Sequence, residues 1–128
     1  MSTTKIAFIG AGNMAKAIIG GLLAEGYSRT QIIAAGPRME TLDKVKQEFH
    51  IEVTTDNNAA AAQADVVVLG VKPQMLKDVA LGLRASLAHK PLIISVAAGI
   101  TTASIASWLG DDQAIVRCMP NAPSQLRA

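Results

Sequence analysis

Short apolar runs rich in β-branched residues alternate along the chain with segments of helical spacing. The apolar runs predict six strands, at residues 5–10, 31–35, 51–54, 65–69, 91–95 and 114–118. Apolar positions between them recur with a helical period and predict helices at residues 13–25, 38–49, 58–63, 74–87 and 102–108. Connections this short make right-handed crossovers, so we expect a parallel sheet with helices on both faces. The pattern predicts a single doubly wound α/β domain of the Rossmann type.

Composition narrows the class of protein further. Hydrophobic residues make up 50% of the 128 residues and aromatic residues only 3%, which suits a close-packed parallel sheet. The formal net charge is +2 and the cationic residues are scattered, so no nucleic-acid surface is expected. Apolar segments fall short of the ~20 residues that span a bilayer, and the start does not resemble a signal peptide. Cys118 has no second cysteine to pair with. We expect a reduced, cytoplasmic protein without a metal site.

A glycine-rich turn follows the first predicted strand. Residues 10–15 read GAGNMA, which fits the pattern GxGxxG/A at a change from strand to helix. Gly10 permits a tight turn, Gly12 lets the backbone approach a pyrophosphate, and the small Ala15 lets the helix pack closely. The free N–H groups at the helix start can hold a diphosphate. The turn therefore predicts a dinucleotide site, the alternative being a plain turn made of small residues.

The helix after this turn contains two small residues four positions apart, Ala17 and Gly21. Glycine lowers helix propensity, so its presence within a helix calls for a compensating contact. We interpret the pair as a flat face that packs against the sheet. This role is structural and involves no chemistry.

The residues after the second predicted strand bear on the choice of dinucleotide. Proteins that prefer NAD usually place Asp or Glu there, ~20 residues past the glycines. Residues 34–38 read AAGPR, so the carboxylate is missing and Arg38 stands two residues past Gly36. A guanidinium can pair with a 2′-phosphate, which favours NADPH and leaves NADH possible. Alternatively, Arg38 is a solvated residue at a helix start. Asp56 is expected to cap the next helix.

Three further loops are expected at the same edge of the sheet, because the carboxyl ends of parallel strands meet there. Lys72 and Pro73 follow the fourth predicted strand, and Ala97 and Ala98 follow the fifth. Pro73 stiffens its loop, and the alanines leave room for a flat ring. Lys72 is either a ligand-binding group or an ordinary exposed lysine. Asn121, between two prolines, is expected over the crevice.

Four stretches resemble the N-terminal domain of the pyrroline-5-carboxylate reductase family: FIGAGNMA at 8–15, VKPQ at 71–74, SVAAGI at 95–100 and VRCMPNAP at 116–123. The resemblance implies NAD(P)H-dependent reduction of the cyclic imine 1-pyrroline-5-carboxylate to L-proline, the last step of proline biosynthesis. It places the loop of Asn121 near the substrate and the nicotinamide. It implies cofactor contacts at Gly10, Ala11, Gly12, Asn13, Met14, Gly36, Asn57, Val71, Lys72 and Ala98.

Two departures from the family pattern limit what the resemblance implies. Ala122 stands where the family usually has Thr, and the sequence given ends at Ala128, where the family continues into an all-helical domain that forms the dimer. We expect residues 1–123 to form the dinucleotide-binding domain and residues 124–128 a short tail, the helical dimerisation domain being absent. Full-length members of the family are homo-oligomeric, and weak self-association is expected of this chain.

No catalytic residue is predicted in this chain. Imine reduction needs a hydride donor, a held electrophile and a proton source, and only the binding site of the donor can be argued from the residues. His50 and His89 both lie away from the predicted crevice. We therefore expect cofactor binding without turnover. The alternatives are a catalytically silent NAD(P)-binding module and a related Rossmann imine or hydroxyacid oxidoreductase.

Overall fold

A parallel six-stranded sheet forms the centre of the protein. The computed structural model describes residues 4–96, 100–110 and 113–117. Its strands are β1 (Ile6–Ile9), β2 (Ile32–Ala35), β3 (Glu52–Thr54), β4 (Val66–Leu69), β5 (Leu92–Ser95) and β6 (Ile115–Arg117). They lie in the order β3-β2-β1-β4-β5-β6, with every neighbouring pair parallel. The order therefore reverses between β1 and β4, and the predicted doubly wound fold is confirmed.

The helices connect these strands and cover both faces of the sheet. They are α1 (Asn13–Ala24), α2 (Met39–Phe49), α3 (Asn57–Ala62), α4 (Pro73–Leu83) and α5 (Thr102–Leu109), with 3-10 turns at Arg29–Gln31 and Arg84–Ser86. The prediction that the fourth helix continues to Leu87 is wrong. The chain tightens into the second 3-10 turn, where the Ser86 hydroxyl donates to Asn58 Oδ1 at 2.9 Å. No helix in the described ranges has the length and apolarity needed to cross a membrane.

Alternating side chains of the central strands build two apolar layers, one on each face of the sheet. Ala7 and Ile9 of β1 belong to the layer that includes Leu76 and Ile105 of the covering helices. Phe8 belongs to the opposite layer, with residues of α1 and α2. Burying one such large side chain contributes about 1.5–3 kcal/mol. The two layers pack against both faces of the sheet and so position the strand ends from which the loops of the carboxyl edge begin.

The face of α1 that packs on the sheet differs from the prediction. Ala17 and Gly21 are exposed, and a Cβ built on Gly21 would meet no atom within 4 Å. Ala15 and Ile19 are the residues that α1 buries. Positions 15 and 17 are two residues apart, about 200° around a helix, so burying the first turns the second to solvent. The prediction of a flat face made by Ala17 and Gly21 is wrong.

Candidate functional site

The glycine turn joins β1 to α1 and touches the end of β4. Gly10 has φ +103°, in the left-handed region, and its N–H donates to the carbonyl of Ala35 at 2.8 Å. A Cβ on Gly10 would lie 2.8 Å from the carbonyl carbon of Gly70. Both the backbone angle and the contact therefore require glycine. Ala15 lies beneath the turn and is 1% exposed. A Cβ built on Gly70 would lie 3.9 Å from the Cβ of Ala15.

The start of α1 faces open space. Gly12 directly precedes the helix. No side chain caps the helix, and its first turn contains no acidic residue. The N–H of Lys16 donates to the Gly12 carbonyl at 3.0 Å, so the N–H groups of residues 13–15 have no acceptor within the helix. A Cβ on Gly12 would meet nothing within 4 Å. This helix end can therefore accept an anion.

A small cavity of about 170 Å³ lies where β2 passes into α2. Gly36 is buried, and its N–H donates to the carbonyl of Thr54 at 3.2 Å. Arg38 directly precedes α2 and is exposed; its side chain neither caps the helix nor forms an ion pair with another described residue. The cavity is lined by Ala11, Gly12, Gly36, Pro37, Arg38, Thr41 and Leu42.

The end of β4 supplies the opposite side of the site. Val71 is half-buried, whereas Lys72, the residue before α4, is exposed and its side chain does not cap the helix. Pro73 is the first residue of α4, a position at which the missing N–H of proline is of no consequence. The chain therefore turns sharply after the strand and leaves the lysine side chain at the carboxyl edge of the sheet.

Asn57, the first residue of α3, carries a buried acceptor without a donor. Its Oδ1 is shielded from solvent and has no hydrogen-bond partner in the described part of the protein. An unsatisfied buried polar atom costs about 1–3 kcal/mol, so a ligand that donates there would be stabilised. Asp56 Oδ1 accepts from the N–H groups of Asn58 at 3.0 Å and Ala59 at 3.1 Å. The predicted cap of this helix is confirmed.

These loops enclose one crevice of about 660 Å³ at the carboxyl edge of the sheet. It spans the reversal of strand order between β1 and β4, where doubly wound sheets bind their ligands. Its two ionisable lining residues, Arg38 and Lys72, are both cations, so the electrostatics favour an anionic ligand. The lining residues are Gly10, Ala11, Gly12, Gly36, Pro37, Arg38, Asn57, Gly70, Val71, Lys72, Met75 and Val79.

The crevice brings most of the predicted site residues together. Gly10, Ala11, Gly12, Gly36, Arg38, Asn57, Val71 and Lys72 line it. Asn13 and Met14 follow Gly12 in the exposed first turn of α1, and Pro73 follows Lys72, but these three are not lining residues. Ala97, Ala98 and Asn121 lie outside the described residues, as do Cys118 and Ala122.

The sequence motifs did not predict four residues that line the crevice, Pro37, Gly70, Met75 and Val79, or Thr41, which lines the small cavity beside α2. Thr41 follows Arg38 by three positions, and Met75 and Val79 follow Lys72 by three and seven. Each interval corresponds to one face of a helix, so the helical period counted from each cation could have identified Thr41, Met75 and Val79.

Both histidines lie away from the crevice. His89 Nε2 hydrogen-bonds to the carbonyl of Ala64 at 2.8 Å, in the connection that precedes β5. His50 ends α2 before β3 and is exposed. Because both residues precede strands, they lie at the amino edge of the parallel sheet. Neither is placed to exchange protons with a molecule bound at the carboxyl edge.

Comparison with known proteins supports the motif resemblance. Residues 5–99 match the model of the family described as NADP oxidoreductase, coenzyme F420-dependent. The chain is 53% identical over 127 residues to the pyrroline-5-carboxylate reductase of Pseudomonas aeruginosa, covering 99% of this chain and 46% of that protein. It is 48% identical over 126 residues to that of Vibrio alginolyticus, covering 98% of this chain and 46% of that protein. The chain thus spans about half the length of the curated relatives it matches.

The comparison of structures agrees with the comparison of sequences. A pyrroline-5-carboxylate reductase from Coxiella burnetii superposes with a TM-score of 0.92 at 45% identity, covering 99% of this chain and 47% of that one. The resemblance to the pyrroline-5-carboxylate reductase family is confirmed.

Proposed function

Because the chain belongs to the family described as NADP oxidoreductase, coenzyme F420-dependent, we propose that its crevice binds a nicotinamide dinucleotide and prefers NADPH. The observation that carries the proposal is the uncapped start of α1, which faces open space in front of Gly12 within a crevice of about 660 Å³. A crevice of this size is in the range of small-molecule sites. Its residues fit the cofactor at three separate places.

The diphosphate is held by the first turn of α1. The N–H groups of Asn13, Met14 and Ala15 have no acceptor within the helix and carry the positive end of its dipole. The space that a Cβ on Gly12 would enter is free of protein atoms, so the backbone can approach the phosphates closely. The absence of an acidic residue from this turn removes a source of repulsion.

The preference for NADPH rests on the cavity beside α2. Arg38 supplies a guanidinium that is exposed, lines this cavity and has no ion-pair partner in the described part of the chain. Thr41 supplies a hydroxyl to the same cavity. Together they offer the charge and the hydrogen bonds that a 2′-phosphate requires. Residues 36–39, which directly follow β2, include no carboxylate to pair with the unphosphorylated ribose of NADH.

The third group of residues lies on the far side of the crevice. Val71 offers an apolar wall, and Lys72 offers a second cation. The buried Oδ1 of Asn57 can accept a hydrogen bond from a hydroxyl or amide of the dinucleotide. Ala97 and Ala98 are assigned to the same side by their position after β5.

We further propose that the chain supplies the cofactor-binding half of an enzyme that reduces 1-pyrroline-5-carboxylate to L-proline, with Asn121 near the substrate. The relatives that share 53% and 48% of its residues bear that name, and the chain spans about half their length. The reduced nicotinamide, when bound, supplies a hydride to the imine carbon. The residues of this chain bind and orient the cofactor, and no proton donor is assigned among them.

Fluorescence titration with NADPH and NADH, together with an assay on 1-pyrroline-5-carboxylate, tests this function. We expect saturable binding of NADPH, at least about 10-fold tighter than that of NADH, a difference of 1.4 kcal/mol. Turnover is expected only after fusion to the remaining half of the Pseudomonas aeruginosa relative. Failure to bind either dinucleotide would refute the site, and equal affinities would refute the role of Arg38. A fusion that folds and binds NADPH without turnover favours a silent binding module.

A further inference from the structure

Three exposed methionines lie near the crevice, at the carboxyl edge of the sheet. Met14, Met39 and Met75 lie in the first turns of α1, α2 and α4, and they are 40%, 52% and 50% exposed. They are all the methionines of the described ranges, and three of the five large apolar side chains exposed there. We call these three residues the methionine rim. Buried positions are the usual environment of methionine, so three exposed ones at one site need an explanation.

The fold places the methionine rim beside the proposed cofactor site. The three helices follow β1, β2 and β4, which are adjacent in the sheet, so their first turns lie at the same carboxyl edge. Met75 lines the crevice itself. Met14 is two residues past Gly12, and Met39 is next to Arg38. A dinucleotide bound in the crevice would therefore cover the Met75 thioether, which is open to solvent without it.

We propose that the methionine rim is an oxidation site, at which hydrogen peroxide converts the thioethers to sulfoxides and thereby weakens dinucleotide binding; this inference rests on the proposed function. The sulfur lone pair attacks one peroxide oxygen, so an S–O bond forms as the O–O bond breaks. Sulfur loses two electrons. The second oxygen leaves with both hydrogens as water, so one peroxide is consumed for each sulfoxide formed.

The chemistry of the sulfoxide explains the loss of affinity. Oxidation turns a flexible apolar side chain into a polar one whose oxygen carries partial negative charge. At Met75 that oxygen enters the lining of a crevice that otherwise presents two cations to an anionic ligand. Met14 belongs to the first turn of α1, which is proposed to hold the diphosphate, and Met39 directly follows Arg38, so a polar group at either position changes the surroundings of the proposed site. Bound cofactor would cover Met75, so oxidation of this residue falls mainly on protein without cofactor, and methionine sulfoxide reductases can reverse it.

Peroxide treatment with and without saturating NADP⁺ tests the inference. Peptide mass spectrometry follows the sulfoxide at each methionine, and fluorescence titration follows NADPH affinity. We expect NADP⁺ to slow oxidation of Met75 several-fold, and full oxidation of the rim to raise the Kd for NADPH by about 5- to 10-fold, which corresponds to about 1 kcal/mol. Incubation with methionine sulfoxide reductases should restore the original Kd.

Variants that cannot be oxidised supply the controls. Leucine resembles methionine in volume, so the triple variant Met14→Leu, Met39→Leu, Met75→Leu and the single variant Met75→Leu are each compared with their own untreated affinity. We expect the triple variant to lose its sensitivity to peroxide and the single variant to lose most of it. Equal sensitivity of the triple variant, as oxidation at Cys118 or Met119 would cause, would overturn the inference.

Two further outcomes separate this inference from the proposed function. Unchanged NADPH affinity after complete oxidation of the rim, in protein that binds NADPH before treatment, would overturn the oxidation site alone. Failure of the untreated protein to bind NADPH would overturn the proposed function and this inference with it.

Discussion

The crevice has a floor, formed at Gly10, and a mouth, formed at Gly12, Arg38 and Lys72. The two regions impose different requirements on their residues. On the floor, Gly10 has a left-handed backbone and leaves no room for a Cβ against Gly70. At the mouth, a Cβ on Gly12 would meet nothing, and Arg38 and Lys72 are exposed. The packing of the chain accounts for the floor. Packing does not account for the residues of the mouth, which are proposed to bind a ligand, so substitutions in the two regions should separate stability from binding.

The largest effect is expected on the floor. Gly10→Ala places a Cβ 2.8 Å from the carbonyl carbon of Gly70 and forces alanine to φ +103°. Overpacking of this kind costs about 1–3 kcal/mol, and the left-handed backbone adds about 1–2 kcal/mol. We expect the free energy of unfolding, measured by urea denaturation, to fall by about 3 kcal/mol. A variant as stable as the parent would show that floor and mouth do not differ.

At the mouth, Gly12→Ala should leave the stability of the fold nearly unchanged and weaken NADPH binding. The added Cβ meets no protein atom, so the free energy of unfolding is expected to change by less than about 0.5 kcal/mol. The same Cβ stands where the diphosphate is proposed to lie, and the Kd for NADPH should rise about 30-fold, or 2 kcal/mol. Urea denaturation and fluorescence titration of one preparation measure both. An unchanged Kd for NADPH would show that Gly12 does not contribute to the site.

Arg38→Ala tests the specificity of the mouth. A hydrogen bond to a charged group contributes about 1.5–3 kcal/mol, so the Kd for NADPH should rise about 10-fold or more. The Kd for NADH, which lacks the 2′-phosphate, should change little. Lys44→Ala is the matched control, because Lys44 is an exposed cation of α2 that does not line the crevice. Equal losses for both dinucleotides would contradict the pairing of Arg38 with the 2′-phosphate.

The smallest effect is expected at Gly21, which shares the open surroundings of Gly12 but lies within α1, as the ninth of its twelve residues. Alanine is the better helix former, so Gly21→Ala should raise the free energy of unfolding by about 0.5–1 kcal/mol. NADPH affinity should not change. Such a result would show that open space beside a glycine marks a binding site only where a helix end and a crevice adjoin it.

The strands and the glycine turn could be predicted because their signals are local. Runs of β-branched residues gave all six strands to within one residue at each end. The packing face of α1 differs from the prediction because the bulkier Ile19 is buried, and its burial turns Ala17 and Gly21 outward. The early end of α4 involves a hydrogen bond between Ser86 and Asn58, a contact between distant segments that no local pattern reports.

The candidate site was predictable to the extent that its residues follow strands. Arg38 and Lys72 each directly precede a helix at the carboxyl edge, so the order of elements alone brings them to one crevice. Thr41, Met75 and Val79 lie inside helices, and whether their side chains face the small cavity beside α2 or the crevice depends on how those helices pack. The lack of a hydrogen-bond partner for the buried Oδ1 of Asn57 likewise depends on the residues packed around it and cannot be inferred from its position in the sequence.

The contact between Gly10 and Gly70 links residues that are far apart in sequence but adjacent across β1 and β4. The proposed diphosphate site would therefore be complete only after β4 has docked beside β1, and a chain still emerging from the ribosome without β4 would lack it. Thermodynamic linkage makes the dependence mutual, since a ligand at 100 times its Kd stabilises the folded state by about 2.7 kcal/mol. The abundance of the folded protein in a cell would then follow the size of its dinucleotide pool.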